Sequence, residues 1–194
     1  MATGNDKRLH IIGSGGSGKT TLARKLAGHL NAPCYELDHI GYENGNAAKR
    51  SLNARYEDVR RISSQPTWVS EGGFVWWVDD LLQSADVIVW LDLHWATCYR
   101  RIVMRHIRAD IAGNNLHPGF LKMLRFAKGV RPYYLDPVPA VPSAADDDAR
   151  NNRAAVAQVL SPYSDKVIHC RRPADVAAFL SQVGNNTRVL DTAL

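Results

Sequence analysis

The run Gly13-Ser14-Gly15-Gly16-Ser17-Gly18-Lys19-Thr20, followed by Thr21, holds the residue types needed to grip a polyphosphate. It fits the spacing G-x-x-x-x-G-K-[ST]. Glycines let successive backbone N–H groups turn toward one anion, and a helix beginning there adds its positive end. At this spacing Lys19 reaches the outer phosphates and the Thr20 hydroxyl is placed for Mg²⁺. The run follows the apolar stretch 9–12 and opens the stripe Leu22, Leu26, Leu30, the strand–loop–helix context the motif requires. The expectation is a nucleoside-triphosphate site.

A second group is basic. Arg101, Arg105 and Arg108 recur at i, i+4 and i+7 and so share one helix face, with Arg100 beside them. Like charges gathered on one face call for an anion, and next to a polyphosphate they read as a clamp on the transferred phosphoryl group. A third group is acidic. Asp38 closes Y-E-L-D, Glu71 closes T-W-V-S-E before Gly72-Gly73, and Asp92 closes D-V-I-V-W-L-D. Acids at the C-terminal ends of parallel strands face the ligand crevice. Glu71 is placed to support Mg²⁺ through water, and Gly72 lets a ligand approach the backbone. Asp38 is placed to orient or deprotonate an acceptor hydroxyl. Asp92 fits either a magnesium-supporting acid or a cap for the helix carrying the arginines, and the cap is preferred.

The elements that must hold these groups alternate. Short runs rich in Ile, Val, Trp and Tyr at 8–12, 34–37, 67–70, 86–91 and 166–170 read as strands buried on both faces. Helical periodicity is expected over 18–30, over 145–160 with Asp146, Asp147 and Asp148 in its first turn, and between Pro173 and Gly184. Segments 109–118 and 136–143 carry Gly, Asn and Pro and read as irregular. Strand–helix alternation implies an α/β fold with a parallel sheet between helix layers. A chain of 194 residues accommodates one such domain, taken as 1–184, and a polar tail over 185–194. No apolar run reaches membrane-spanning length, and the polar start at 1–8 gives no secretory signal. Three widely spaced cysteines argue against a disulfide framework and for the cytoplasm.

The formal charge is +5, with 17 Arg among 24 basic residues. Residues 100–131 hold eight basic side chains against one acid, so the rest of the chain is slightly acidic. The charge is therefore one basic element beside a phosphate loop, not a general affinity for nucleic acid.

The ordered set R-L-H-I-I-G-S-G-G-S-G-K-T-T-L-A (8–23), Y-E-L-D (35–38), W-V-S-E-G (68–72), A-D-V-I-V-W-L-D (85–92), R-R-I-V-M-R (100–105) and Y-S-D-K-V-I (163–168) resembles the adenylate-kinase-like P-loop kinases. Within them it is most similar to the group labelled DNA topology modulation proteins. The resemblance implies a three-layer fold, a five-stranded parallel sheet in the order 2-3-1-4-5, an acceptor-side helical insert over about 39–66 and a helical lid over about 105–131. It implies ATP and Mg²⁺ as cofactors and a small-molecule phosphoryl acceptor. Arg101 and Arg105 resemble that family's lid-base arginines, and Arg171 lies in the segment resembling the one that packs on adenine. Glu71-Gly72 resembles the family's Asp-Gly.

One departure stands out. Where adenylate kinases place an Arg for the monophosphate acceptor, this chain has Val75. Arg50, Arg55 and Arg60 are alternative grips for an acceptor phosphate, or a solvated helix face. Trp76 and Trp77 fit an acceptor wall or, preferably, the core. The reading is a Mg·ATP-dependent phosphotransferase acting on a small nucleotide-like acceptor. Lys19, Arg101, Arg105 and Asp38 are its catalytic residues; Asp38, Glu71, Gly72 and Arg108 contact the acceptor. The other class considered is a nucleotide-regulated DNA- or protein-binding module with weak ATPase activity, which should show a second basic stripe. A GTPase is disfavoured because no N-K-x-D run exists.

Overall fold

β-Branched and aromatic side chains with no polar alternation need cover on both faces, and the chain supplies it with helices. The computed structural model describes residues 7–45, 47–115, 119–139 and 151–185. Strands β1 (Arg8–Gly13), β2 (Cys34–Glu36), β3 (Trp68–Gly72), β4 (Val87–Leu91) and β5 (Val167–Cys170) form one all-parallel sheet in the order β2-β3-β1-β4-β5, as expected. Between β1 and β2 runs α1 (Lys19–Leu30). After β2 come α2 (Leu37–Gly41) and α3 (Leu52–Ser63), and α4 (Asp79–Ser84) precedes β4. Beyond β4 lie α5 (Trp95–Ile111), α6 (Phe120–Gly129), α7 (Pro132–Leu135) and α8 (Arg153–Leu160), and α9 (Pro173–Asn185) follows β5.

Side chains alternate across each strand, so the sheet separates two apolar clusters. Leu9, Ile11, Val69, Val87, Val89 and Leu91 meet the α1 stripe and Phe179 of α9 on one face. Ile12, Trp68, Ile88 and Trp90 meet Val59, Ile62, Trp77, Leu81 and Val156 on the other. Trp77 is wholly buried, and Trp76 packs partly buried against the same cluster. A third, small cluster of Ile102, Met123 and Ala127 joins α5 to α6.

Several boundaries differ from the sequence reading. β3 continues through Glu71 and Gly72 because it pairs on both edges, with Ile11 and Ile12 of β1 and with Glu36 of β2. β2 stops at Glu36, which leaves Asp38 in the first turn of α2. α8 begins at Arg153, where Asn152 Oδ1 accepts the Ala155 N–H at 2.8 Å. The acidic triplet Asp146–Asp148 lies outside the described residues, as does the tail beyond Asn185.

Candidate nucleotide and phosphoryl-transfer site

The loop between β1 and α1 is bent by Gly16 and Gly18, whose φ values are 77° and 98°. Both angles lie in the left-handed region that strains other residues. Gly16 also has no room for a side chain: a Cβ would sit 2.7 Å from the Cys98 carbonyl and 2.8 Å from Ile102. The loop is thus wedged against α5. Arg101 of α5 tightens this, its Nη1 donating to the Ser17 carbonyl at 2.6 Å. Ser17 Oγ donates to the Ser14 carbonyl at 2.8 Å, and Lys19 Nζ donates to the same carbonyl at 3.1 Å.

A cleft of about 540 Å³ opens above this loop. Gly15 through Thr21 line it, together with Asp38, Glu71, Arg101 and Arg105. Register explains the acids. Glu71 stands beside Ile11 one strand from the loop and shares the α1-facing side of the sheet with Val69. There the Thr20 hydroxyl donates to Glu71 Oε1 at 2.7 Å. Glu71 is buried, and burial raises its carboxyl above the usual range while Lys19 pulls it back. Burial likewise raises Asp38, opposed by Lys19. Burial lowers the Lys19 ammonium; Glu71 and Asp38 oppose that, and the nearby Arg105 charge reinforces it. Lys19 therefore feels both acids and Arg105 at once.

The remaining expected site residues are placed differently. Gly13 and Ser14 belong to the loop's buried base and Gly72 to β3, none of them on the cleft wall. Arg108 is exposed one turn beyond Arg105 and outside the cleft lining. Arg171 is exposed, with its N–H donating to Asp175, and α9 presents Val176 and Leu180 to the cleft instead. Lys25, Ile102 and Phe126 also line it, and sequence reasoning did not single them out. The Tyr134 hydroxyl was missed too: it contacts the Ser14 hydroxyl and lies 3.3 Å from Cys98 Sγ. No motif marks these; Lys25 and Ile102 sit on α1 and α5, and the return of α6 and α7 over the loop brings in Phe126 and Tyr134.

Asp92 corrects the sequence reading. It does not cap α5, whose cap is His94 with Nδ1 accepting the Ala96 N–H at 3.3 Å. Nor does it line the cleft. Its buried Oδ2 accepts from Arg153 Nε and from His169 Nε2, each at 2.9 Å, and His169 stacks on Trp90 at 4.1 Å. The acid ties α8 to β4 and β5.

Among the described residues, no three His, Cys, Asp or Glu side chains group as a metal site. Mg²⁺ needs no such cage, because it keeps several waters and takes one or two protein oxygens beside the phosphates. The adjoining Thr20 hydroxyl and Glu71 carboxylate are a donor set of that kind. No helix among the described residues is long and apolar enough to cross a membrane.

The sheet order, with a phosphate loop between β1 and α1, defines a P-loop NTPase fold. No protein-family model matches this chain, and comparison with the curated proteins finds no match. Among solved structures, an uncharacterized protein from Eubacterium ventriosum is similar with a TM-score of 0.53 and 12% identity, covering 93% of this chain and 99% of that one. A shikimate kinase from Bacteroides thetaiotaomicron gives 0.46 and 14%, over 92% and 96% of the two chains. A gluconokinase from Sinorhizobium meliloti gives 0.46 and 16%, over 95% and 97%.

Proposed function

We propose that the protein is a Mg·ATP-dependent phosphotransferase that moves the γ-phosphoryl group to a small hydroxyl acceptor. The observation that carries this is the single cleft in which the phosphate loop meets two acids and two arginines. Loop amides and Lys19 hold the triphosphate, and Arg101 fixes the loop while facing the same ligand. Thr20 and Glu71 hold Mg²⁺, which when bound neutralises phosphate charge. Arg105 reaches over the transferred group, where developing charge needs a donor. Asp38 orients the acceptor hydroxyl and takes its proton. The α5–α6 arm, with its own small core, serves as the lid. Three free cysteines among the described residues support a reducing, cytoplasmic setting.

The nucleotide-like acceptor and the membership of the DNA topology modulation group rest on the sequence resemblance. The binding-module alternative gains no support, since the arginines Arg101 and Arg105 turn into the cleft. Lys19→Ala tests the proposal: ATP-dependent ADP release by the purified protein should fall to background while its circular dichroism stays unchanged. Retained turnover would remove the phosphate-loop assignment.

A further inference from the structure

The phosphate motif fixes the types of Gly13, Gly18, Lys19 and Thr20 and leaves Ser14 free. Yet the loop is gathered on Ser14. Its carbonyl accepts the Ser17 N–H at 3.3 Å, the Ser17 hydroxyl at 2.8 Å and the Lys19 ammonium at 3.1 Å. The orientation of this one peptide group therefore decides where Lys19 stands before a phosphate arrives.

The Ser14 side chain is buried and is gripped from outside the loop. Its hydroxyl contacts the Tyr134 hydroxyl, and Tyr134 donates to Cys98 Sγ at 3.3 Å. A tyrosine has one proton to give, so Ser14 is the donor in the first contact. The other acceptors near the Ser14 hydroxyl are further off, the Gly15 carbonyl at 3.5 Å and Cys98 Sγ at 3.8 Å. The Cys98 thiol donates onward to the Leu93 carbonyl at 3.9 Å. Tyr134 and Cys98 thus each accept one proton and give one, and the chain of bonds ends on backbone.

Tyr134 is itself well placed to hold. α7 begins with Pro132 and buries Tyr133 in the core, and the Tyr133 ring meets the Tyr134 ring edge-on at 4.9 Å. α7 closely follows α6, whose Phe126 and terminal Val130 stand 3.4 and 3.1 Å from where a Gly15 Cβ would lie. The same stretch of chain therefore touches two successive loop residues, Gly15 by apolar contact and Ser14 by a hydrogen bond. Of the two, only the hydrogen bond has a preferred direction, so it is the one that orients the loop. Tyr134 lies outside the cleft lining and acts on a bound nucleotide only through Ser14.

We propose that Tyr134 is a positioning residue for ATP binding: its hydroxyl, through Ser14, sets the phosphate loop and Lys19 and ties their geometry to the α5–α6 arm. The inference rests on the phosphotransferase reading above and adds a residue outside both motif and cleft on which nucleotide affinity depends.

The test uses the full chain with Mg·ATP. Affinity is read by calorimetry, well below the melting point of each variant as found in thermal melts. Tyr134→Phe keeps the ring and removes the hydroxyl, and Ser14→Ala removes its partner. Each single variant should bind ATP about 3- to 10-fold more weakly, the size of one lost hydrogen bond. The double variant should bind within about twofold of either single one, because both changes break the same link. Unchanged ATP affinity in folded Tyr134→Phe protein overturns the inference and leaves the phosphotransferase standing. Additive losses in the double variant also overturn it, because a tyrosine that only supports the arm would act independently of Ser14. Where Tyr134→Phe does not fold, Ser14→Ala decides: affinity within twofold of the parent overturns the inference, and the stated loss upholds it. A parent protein that binds no ATP refutes the phosphotransferase reading, and this role of Tyr134 with it.

Discussion

Arg101 and Arg105 sit one helical turn apart, yet the structure separates their roles, so replacing each by Ala gives a paired test. Arg101 donates to the Ser17 carbonyl at 2.6 Å and its Nη1 lies 3.2 Å from where a Gly18 Cβ would stand. It holds the shape of the phosphate loop before any ligand arrives. A hydrogen bond from a charged donor is worth about 1.5–3 kcal/mol. Arg101→Ala should therefore weaken ATP binding by roughly 10- to 150-fold, and lower kcat as well. Arg105 lines the cleft and is felt by Lys19, but it is more exposed and no hydrogen bond to the loop is seen for it. Its loss should leave ATP affinity within about threefold while kcat falls by roughly 10²–10³, as for other donors aimed at developing charge. Calorimetric ATP titration and steady-state kinetics on both variants resolve the two effects. Equal losses of ATP affinity in both variants, or a kcat within a few-fold of the parent for Arg105→Ala, would refute the division of roles.

Asp38→Asn should lower kcat by about 10²-fold or more while ATP affinity changes little; unchanged turnover would take Asp38 out of the chemistry. Gly16→Ala should abolish ATP binding, because the residue needs φ of 77° and a Cβ would press the Cys98 carbonyl at 2.7 Å. Gly15→Ala meets only side-chain ends, Val130 at 3.1 Å and the Phe126 ring at 3.4 Å, and should bind ATP within about tenfold of the parent; equal loss in both would show that the wedge against α5 is not what matters. His10 is buried against Ser70 and its pKa is pushed down to about 4 by burial. The unfolded chain binds that proton from about pH 6.5 downward while the folded one does not, so stability falls as pH drops from 6.5 toward 4, by about 3 kcal/mol in all. Thermal melts of the parent and of His10→Gln across this range should diverge, and parallel curves would count against the burial argument.

Much of the fold is local chemistry written along the chain. Short apolar runs rich in β-branched residues between amphipathic stretches point to buried strands, and the 3.6-residue stripe on α1 gives it one face to bury. The loop's glycines, Lys19 and Thr20 act as one contiguous unit, so their spacing alone specifies a phosphate cradle. Asp38 and Glu71 were legible as strand-end acids because every strand of a parallel sheet ends on the same edge.

What the tertiary structure decided is which long-range partner each remaining polar group meets. Asp92 looked like a cap because the next helix starts beside it, but Arg153 and His169, far along the chain, converge on it. Arg55 read as either an acceptor grip or a solvated helix face and is packed beside Trp77. Arg108 keeps the heptad-like spacing of Arg101 and Arg105, yet α5 carries it beyond the cleft. Periodicity places a side chain on a face, whereas partners and depth depend on how separate elements dock. The loop spacing alone therefore marked the proposed phosphate site, and only the packing of α5, α6 and α9 decided which other side chains share its cleft.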